Sequence, residues 1–144
     1  MIAGVQLIPL LQFPDQRGVV YHMLRVTDPH FRGFGEIYFS SVYPGVVKAW
    51  KNHRRATVHY ACVSGRLKMV LYDARPGSAS HGEVMEITMS PDDYRLVIVP
   101  PGVWNGFQGL SEPQALLANC STEPFDPAEF ERLDPQAKEI PYQW

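Results

Sequence analysis

The sequence predicts a single all-β domain, and three observations support that prediction. Nine short runs of apolar or alternating residues, from "GVQLIPLL" to "ALLANCS", recur along the chain with the length of strands. Clusters such as "DQRG", "YPG", "RPGSASHG" and "PPG" separate them, and their Gly, Pro, Asp and Ser residues favour turns. The chain has 13 prolines and 11 glycines in 144 residues, which is enough length for one core and too many turn residues for long helices.

One segment near the C-terminus has the pattern of a helix. In "FDPAEFERLD", Asp126 can cap the first turn, Pro127 suits the first helical position, and Glu129 follows the cap by three residues. We therefore expect a short C-terminal helix. The closing "IPYQW" is too aromatic for a free terminus, so we expect it to pack on the barrel or on a second subunit.

Charge and hydropathy restrict the partners and the location. The net charge is −2 with both signs interspersed, so we expect no nucleic-acid partner. No run reaches the roughly 18 apolar residues of a membrane span, and residues 1–13 lack signal-peptide features, so we expect no membrane partner and a cytoplasmic location. Cys62 and Cys120 lie in apolar runs, which indicates buried thiols rather than a disulfide.

The basic stretch "KAWKNHRR" is the exception to this even distribution of charge. It is either a solvated loop or a site for an anionic ligand near the mouth of the barrel. If its strand is regular, Ala49, Lys51 and His53 share one face, because strand side chains alternate. By the same rule Tyr60 shares a face with Val58 on the next strand, but alternation cannot say which face is interior.

This stretch resembles the first motif of the cupins, a glycine followed after five residues by His-x-His. The frame from Gly45 is kept, but Lys51 and His53 occupy the two histidine positions. In "PPGVWNGF", which resembles the second cupin motif, Asn105 replaces the last histidine. Because a transition-metal site needs about three protein ligands, and His59 could add only one to His53, we expect no metal and no cofactor.

Over its full length the chain resembles one branch of this superfamily more closely, the dTDP-4-dehydrorhamnose 3,5-epimerases and related dTDP-sugar isomerases. The matching segments are "DQRGVV", "GRLKMVLYDARPGSASHGE", "VPPGVWNGFQGLSE", "STEPFDPAEFERLDP" and the closing "IPYQW". Their order and spacing carry the resemblance. It implies a cupin-type β-jelly-roll spanning residues 1–144, a homodimer that exchanges N-terminal strands, and a nucleotide-sugar ligand in the barrel.

The resemblance also implies a mechanism, in which a histidine base removes protons beside a C4 ketone and a tyrosine returns protons from the opposite face. The base position falls on Lys51, the tyrosine position near Asn119, and a further histidine on Asn105. The acid/base pair of the family is therefore missing. We expect Lys51, His53 and Tyr60 to be the catalytic replacements, against the alternatives of a phosphate-pairing lysine, a structural histidine and a packing tyrosine.

Other positions agree better with a ligand site. Arg17 and Lys48 match positions that face the nucleotide phosphates, and Asp73 keeps the Asp-x-Arg pair with Arg75. Trp104 could stack on a base or sugar. The expected substrate-binding residues are Arg17, Lys48, Asp73, Trp104, Asn105 and Asn119.

Three functional hypotheses follow from these residues. The first is an epimerase or isomerase that acts on a dTDP-4-keto-6-deoxyhexose or a similar nucleotide-activated keto sugar, in the biosynthesis of a polysaccharide or another glycoside. The second is a non-catalytic sugar-nucleotide or carbohydrate-binding cupin, since the acid/base pair has changed. The third, a metal-dependent cupin enzyme, conflicts with the number of available ligands.

Overall fold

The computed structural model of residues 1–144 contains twelve strands and no α-helix, which confirms the all-β prediction. The strands are β1 Gln6–Pro9, β2 Gln12–Asp15, β3 Gly18–Tyr21, β4 Glu36–Val42, β5 Val47–His53, β6 Val58–Ser64, β7 Leu67–Asp73, β8 Val84–Met89, β9 Arg95–Val99, β10 Val103–Gly109, β11 Ala115–Ser121 and β12 Phe130–Arg132. No segment forms a helix with the length and apolar character that crossing a bilayer requires.

Two five-stranded antiparallel sheets face each other, as in a jelly-roll. The first sheet has the order β1-β9-β6-β11-β4 and the second the order β12-β5-β10-β7-β8. Strands β2 and β3 form a separate hairpin. The main core lies between the two sheets and includes Val58, Leu67, Leu71, Val97 and Leu117, all almost fully buried. Because β4 and β12 are the edge strands on the same side, the barrel interior can open between them.

Strand β5 is irregular, and this overturns the simple alternation expected of it. Lys51 pairs with Asn105 and Lys48 pairs with Phe107, so two residues of β5 stand opposite the single Gly106 of β10. Such a bulge shifts the alternation by one residue. Lys48 and Lys51 consequently line the same interior cavity, which regular alternation would forbid.

The two residues of β5 opposite Gly106 have atoms at the cavity, but both also pack on the outer face of the sheet. Ala49 and Trp50 join a second apolar cluster with Val70, Trp104 and Ile140 on the outer face of the second sheet. The C-terminal residues Tyr142 and Trp144 pack on the Trp50 ring, with ring centroids 6.1 and 5.0 Å away. The aromatic tail therefore packs on its own barrel, one of the two arrangements expected for it.

The prediction of a short C-terminal helix from "FDPAEFERLD" is wrong, because the segment forms no helix. Asp126 does cap a turn, since its carboxylate accepts from Ala128 N at 3.0 Å and its carbonyl accepts from Glu129 N at 3.0 Å. The chain then leaves the turn as strand β12, which pairs with β5. Tertiary pairing with an available strand edge outweighs the local capping signal over so short a segment.

Cys62 and Cys120 are both buried free thiols, in agreement with the sequence. They lie on opposite faces of the first sheet. Cys62 is part of the core between the sheets. Leu117 and Asn119 face the interior cavity, so Cys120, the next residue along the same strand, faces outward.

The close contact at the bulge predicts that Gly106→Ala destabilises the fold. A Cβ at residue 106 would lie 2.5 Å from Ala49 Cβ and 3.0 Å from the Trp144 ring, while the backbone itself is in a conformation open to alanine. We expect a loss of about 1–3 kcal/mol in the free energy of unfolding, measured by denaturant titration. The double variant Gly106→Ala with Ala49→Gly should recover part of it. A single variant within about 0.5 kcal/mol of the unaltered protein would contradict this packing.

Candidate active site

A cavity of about 460 Å³ lies between the sheets on the side of the edge strands β4 and β12. The first sheet contributes one wall and the second sheet the other. The lining residues are Tyr38, Ser40, Lys48, Ala49, Trp50, Lys51, Tyr60, Asn105, Phe107, Leu117, Asn119 and Arg132. Five of the nine residues predicted to form a site line this cavity: Lys48, Lys51, Tyr60, Asn105 and Asn119.

The inner end of the cavity is closed by a hydrogen bond between the two sheets. Tyr60 Oη on β6 donates to Asn105 Oδ1 on β10 at 3.0 Å. Asn105 Nδ2 in turn donates to the Lys51 carbonyl at 3.1 Å, which leaves one of its N–H groups free. Burial, reinforced by the nearby Tyr38, raises the pKa of Tyr60 far above its usual value, so this hydroxyl keeps its proton.

Lys51 has an environment that suits a reactive amine. Its side chain is half-buried, and its Nζ lies 4.2 Å from the centroid of the Phe130 ring without a hydrogen bond or an ion pair. Burial and the nearby Arg132 lower the pKa of Lys51, although Glu36 and Glu129 act in the opposite direction. A lysine held in this way has a larger neutral fraction near pH 7 than a solvated one.

His53 follows two residues later on the same strand face, but it is not among the residues that line the cavity, and its buried ring contacts a buried carboxylate. Its Nδ1 is 2.6 Å from Glu129 Oε1, and its buried Nε2 has no partner. Burial lowers the pKa of His53, although the Glu129 hydrogen bond partly offsets that shift and Lys51 adds to it. With Nδ1–H donated to Glu129, the neutral imidazole leaves a lone pair on Nε2, the arrangement of a general base.

The environment of Glu129 favours its ionised form. Burial by itself would raise the pKa of Glu129, but hydrogen bonds from Arg55 N and Ala56 N to Oε2, together with His53, lower it to about 2. The carboxylate thus selects the His53 tautomer and fixes the ring orientation, as the acidic member of a catalytic triad does.

The cavity carries an excess of positive charge. Its lining includes Lys48, Lys51 and Arg132 and contains no carboxylate. Lys48 Nζ bridges the walls, since it donates to the Ser41 carbonyl at 2.6 Å and to Ser40 Oγ at 3.1 Å. Cations held in a partly enclosed space favour an anionic ligand, and phosphate groups in particular.

A second tyrosine lies on the first sheet, near the mouth of the cavity. Tyr38 is opposite Asn119 in the β4–β11 register, and Asn119 Nδ2 donates to Tyr38 Oη at 2.6 Å. Burial and Glu36 raise the pKa of Tyr38, although Arg132 and Asn119 act in the opposite direction. Asn119 is at the position where the family resemblance places a catalytic tyrosine. Its amide holds the hydroxyl of Tyr38 on the neighbouring strand.

Three of the predicted ligand contacts lie away from this cavity. Asp73 is fully buried at the end of β7, where its carboxylate accepts from Arg75, Ser78 and Ser80, and the Arg75 guanidinium is the main cause of its lowered pKa. Trp104 packs in the outer apolar cluster. Arg17 is exposed on the β2–β3 hairpin and paired with Asp15 at 2.6 Å.

His59 belongs to the outer face of the first sheet, because Val58 and Tyr60 on either side face the core. Its Nδ1 is 3.0 Å from the Cys120 carbonyl, and its ring stacks on Phe31. It therefore cannot join His53 in a ligand set. No group of three His, Cys, Asp or Glu side chains converges anywhere in the structure.

Sequence reasoning missed two residues of the site, Glu129 and Arg132. Both lie in the segment assigned to a helix, where Glu129 served only as a capping partner. Phe130 and Arg132 are two residues apart and therefore share one face of a strand, but three residues are too few for that pattern to outweigh a capping box.

A jelly-roll with an internal cavity lined by cations and buried titratable side chains defines the class of this protein. The particular family follows from its sequence: the chain belongs to the dTDP-4-dehydrorhamnose 3,5-epimerase family, whose sequence profile matches residues 1–144. Family membership supports an activity of the sugar-nucleotide epimerase type.

Individual relatives agree with this assignment. A spore coat polysaccharide biosynthesis protein of Bacillus subtilis, SpsL, is 30% identical over 142 residues, which is 99% of this chain and 91% of its own length. A probable low-salt glycan biosynthesis epimerase of Haloferax volcanii, Agl13, is 32% identical over 130 residues, 89% of this chain and 80% of its own. The crystal structure of a dTDP sugar isomerase from Desulfovibrio desulfuricans is 44% identical, with a TM-score of 0.97 over 99% of this chain and 92% of that chain.

The contact between His53 and Glu129 predicts a specific tautomer and a specific response to mutation. We expect ¹⁵N NMR at pH 7 to show Nδ1 of His53 protonated and Nε2 bare, with a pKa below 6.5. In Glu129→Gln the pKa of His53 should fall further, because the carboxylate that favours the imidazolium is gone.

Glu131→Gln is the matched control, because Glu131 is exposed and paired with Arg54 on the surface. It should leave the His53 titration unchanged. A protonated Nε2 in the unaltered protein, or a higher His53 pKa in Glu129→Gln, would contradict the proposed pairing.

Proposed function

We propose that this protein is an epimerase or isomerase of nucleotide-activated keto sugars, acting on a dTDP-4-keto-6-deoxyhexose or a similar substrate by removing a proton next to the ketone. The observation that carries the proposal is an unpaired lysine in the cavity, Lys51, two residues before a buried histidine, His53, whose ring is oriented by Glu129. Family membership supplies the substrate class, and the cavity supplies groups that can replace the missing histidine.

The cations of the cavity support a nucleotide-sugar ligand. Lys48 on β5 and Arg132 on the adjacent strand β12 both lie on the second wall, and no lining carboxylate competes for them. A diphosphate would bind between such cations with charge-assisted hydrogen bonds. The sugar ring would then reach inward to Lys51 and Asn105.

Lys51 and His53 carry the proton transfer in this proposal. A ketone acidifies the neighbouring C–H bond, and a neutral amine in a half-buried site can accept that proton. His53 Nε2, which is buried and has no partner in the protein, is the second group that would accept or supply a proton. The free N–H of Asn105 can stabilise the enolate oxygen, an electrostatic role that a neutral amide can fill although it cannot act as a base near pH 7.

Tyr60 is the residue that the sequence predicted as the acid. Its hydroxyl donates to Asn105 and is almost fully buried, so it also holds the amide in position for the substrate. Its role as proton donor stays a prediction, and Tyr60→Phe tests it.

The N-terminal hairpin supports a homodimer in which Arg17 serves a second copy. Strands β2 and β3 pair only with each other, and all eight of their residues are exposed. Apolar side chains are exposed on this hairpin, including Phe13 and Val20, and on the outer face of β4, at Ile37 and Phe39. Such surfaces mark protein interfaces. Arg17 would then reach the phosphates bound in the partner's cavity.

A non-catalytic sugar-nucleotide or carbohydrate-binding protein is the alternative. It is favoured by one observation, the presence of the neutral amides Asn105 and Asn119 in the cavity, where a histidine and a tyrosine are expected. Saturable binding without proton exchange would favour it.

Solvent exchange tests the proposed chemistry directly. We expect the protein in D₂O to introduce deuterium at C3 or C5 of dTDP-4-keto-6-deoxyglucose, followed by NMR. Lys51→Ala and His53→Ala should each slow exchange by roughly 10²–10⁴-fold, because a positioned acid or base contributes about that factor. Lys138→Ala, which removes an exposed lysine outside the cavity, is the control. Binding without exchange in the unaltered protein would refute the enzymatic assignment.

Complementation between inactive chains tests the role of Arg17. If Arg17 completes the site of the partner, Arg17→Ala and Lys51→Ala proteins are each weak alone. After mixing and subunit exchange they should recover roughly a quarter of the unaltered activity, because half of the dimers are mixed and each has one intact site. A monomer by light scattering, or no recovery after confirmed exchange, would exclude this arrangement.

A further inference from the structure

We propose that Tyr38 is a catalytic acid of this site, which delivers a proton to the face of the substrate opposite to Lys51. This inference rests on the proposed function and adds a catalytic residue to it. The two walls of the cavity face each other, and two tyrosines, Tyr38 and Tyr60, line the first wall.

The first wall presents a row of three polar side chains on neighbouring strands. Asn119 on β11 is paired in register with Tyr38 on β4 and with Tyr60 on β6. The second wall has a corresponding row, in which Asn105 on β10 is paired with Lys51 on β5. The hydrogen bond from Tyr60 to Asn105 joins the inner ends of the two rows.

Because that bond closes the inner end, Tyr38 is at the open end of its row. The neighbours that influence it electrostatically include Arg132 on β12, a strand of the opposite sheet, and Glu36 affects both Tyr38 and Lys51. Tyr38 and Lys51 thus belong to the two facing walls, and a ligand bound between the sheets would have one on each side.

The hydrogen bonds of the two tyrosines differ in direction, and this decides between them. Tyr60 uses its own proton, which it donates to Asn105 Oδ1. Tyr38 instead accepts, since Asn119 Nδ2 donates to its oxygen at 2.6 Å, and its own proton has no acceptor within the protein. Only the Tyr38 proton is available to a substrate.

The surroundings of Tyr38 also allow a complete cycle. Lys51 takes the proton from the carbon next to the ketone and an enolate forms. Tyr38 donates its proton to the other face of that carbon and becomes a phenolate, which the Asn119 N–H and Arg132 stabilise. Tyr38 is 38% exposed and regains a proton from solvent, while Lys51 releases its own. Tyr60, 3% exposed, has no such supply.

The experiment compares Tyr38→Phe with Tyr60→Phe on dTDP-4-keto-6-deoxyglucose in D₂O, with deuterium incorporation and formation of the inverted sugar measured separately by NMR. The acid step is needed for inversion, whereas proton loss and return on the Lys51 side are not. Tyr38→Phe should therefore keep exchange within a few-fold of the unaltered rate and lose inversion by roughly 10²–10⁴-fold. Tyr60→Phe should change both rates by the same factor.

Each outcome is informative about Tyr38. Inversion by Tyr38→Phe at the unaltered rate overturns the assignment, as does a selective loss of inversion in Tyr60→Phe. Equal loss of exchange and inversion in Tyr38→Phe also overturns it, because Tyr38 would then position the substrate instead of donating a proton. Failure of the unaltered protein to exchange at all would refute the proposed function, and with it this role. Thermal unfolding of both variants confirms that they fold.

Discussion

The bulge in β5 is the constraint on which the rest of the site depends. In a regular strand Lys48 and Lys51 would lie on opposite faces, and one of them would be lost to the cavity. The extra residue opposite Gly106 places both on the inner face and sends Ala49 and Trp50 to the outer one. A single irregularity therefore supplies two cations to the interior and, on the other side, the aromatic platform to which the C-terminal tail binds.

The tail in turn completes the cavity. Backbone hydrogen bonds between Trp50 and Leu133, at 2.8 and 3.1 Å, continue the pairing of β12 with β5. This pairing places Phe130 under Lys51 and Arg132 at the rim. The turn before β12 carries Glu129 to His53. The segment that follows β11 thus supplies part of the candidate site, although its own sequence has no conspicuous motif.

Burial favours proton acceptors on one wall of the cavity and proton donors on the other. On the second sheet, burial and neighbouring cations favour the neutral forms of Lys51 and His53, which can accept protons. On the first sheet, burial favours the protonated forms of Tyr38 and Tyr60, and only the Tyr38 proton is not already donated within the protein. One physical effect, desolvation, acts with opposite chemical consequences on bases and on acids because it always disfavours the charged form. A site of this kind can exchange protons on two faces of a ligand without a metal ligand set.

The sequence by itself determined the class of fold, and it predicted five of the twelve residues that line the cavity. Turn residues at regular spacing and alternating apolar runs predict the β-architecture, and the basic stretch around Lys51 predicts the charged wall. These signals are local, so they can be recognised without knowledge of tertiary contacts.

Only the tertiary structure decided which side chains point inward, because alternation fails at a bulge and a bulge is set by the partner strand. It also decided that residues 130–132 form a strand, that Trp104 and Asp73 stabilise the scaffold, and that Glu129 belongs with His53, 76 residues away. Each of these depends on contacts between distant segments, for which a single sequence carries no local signal.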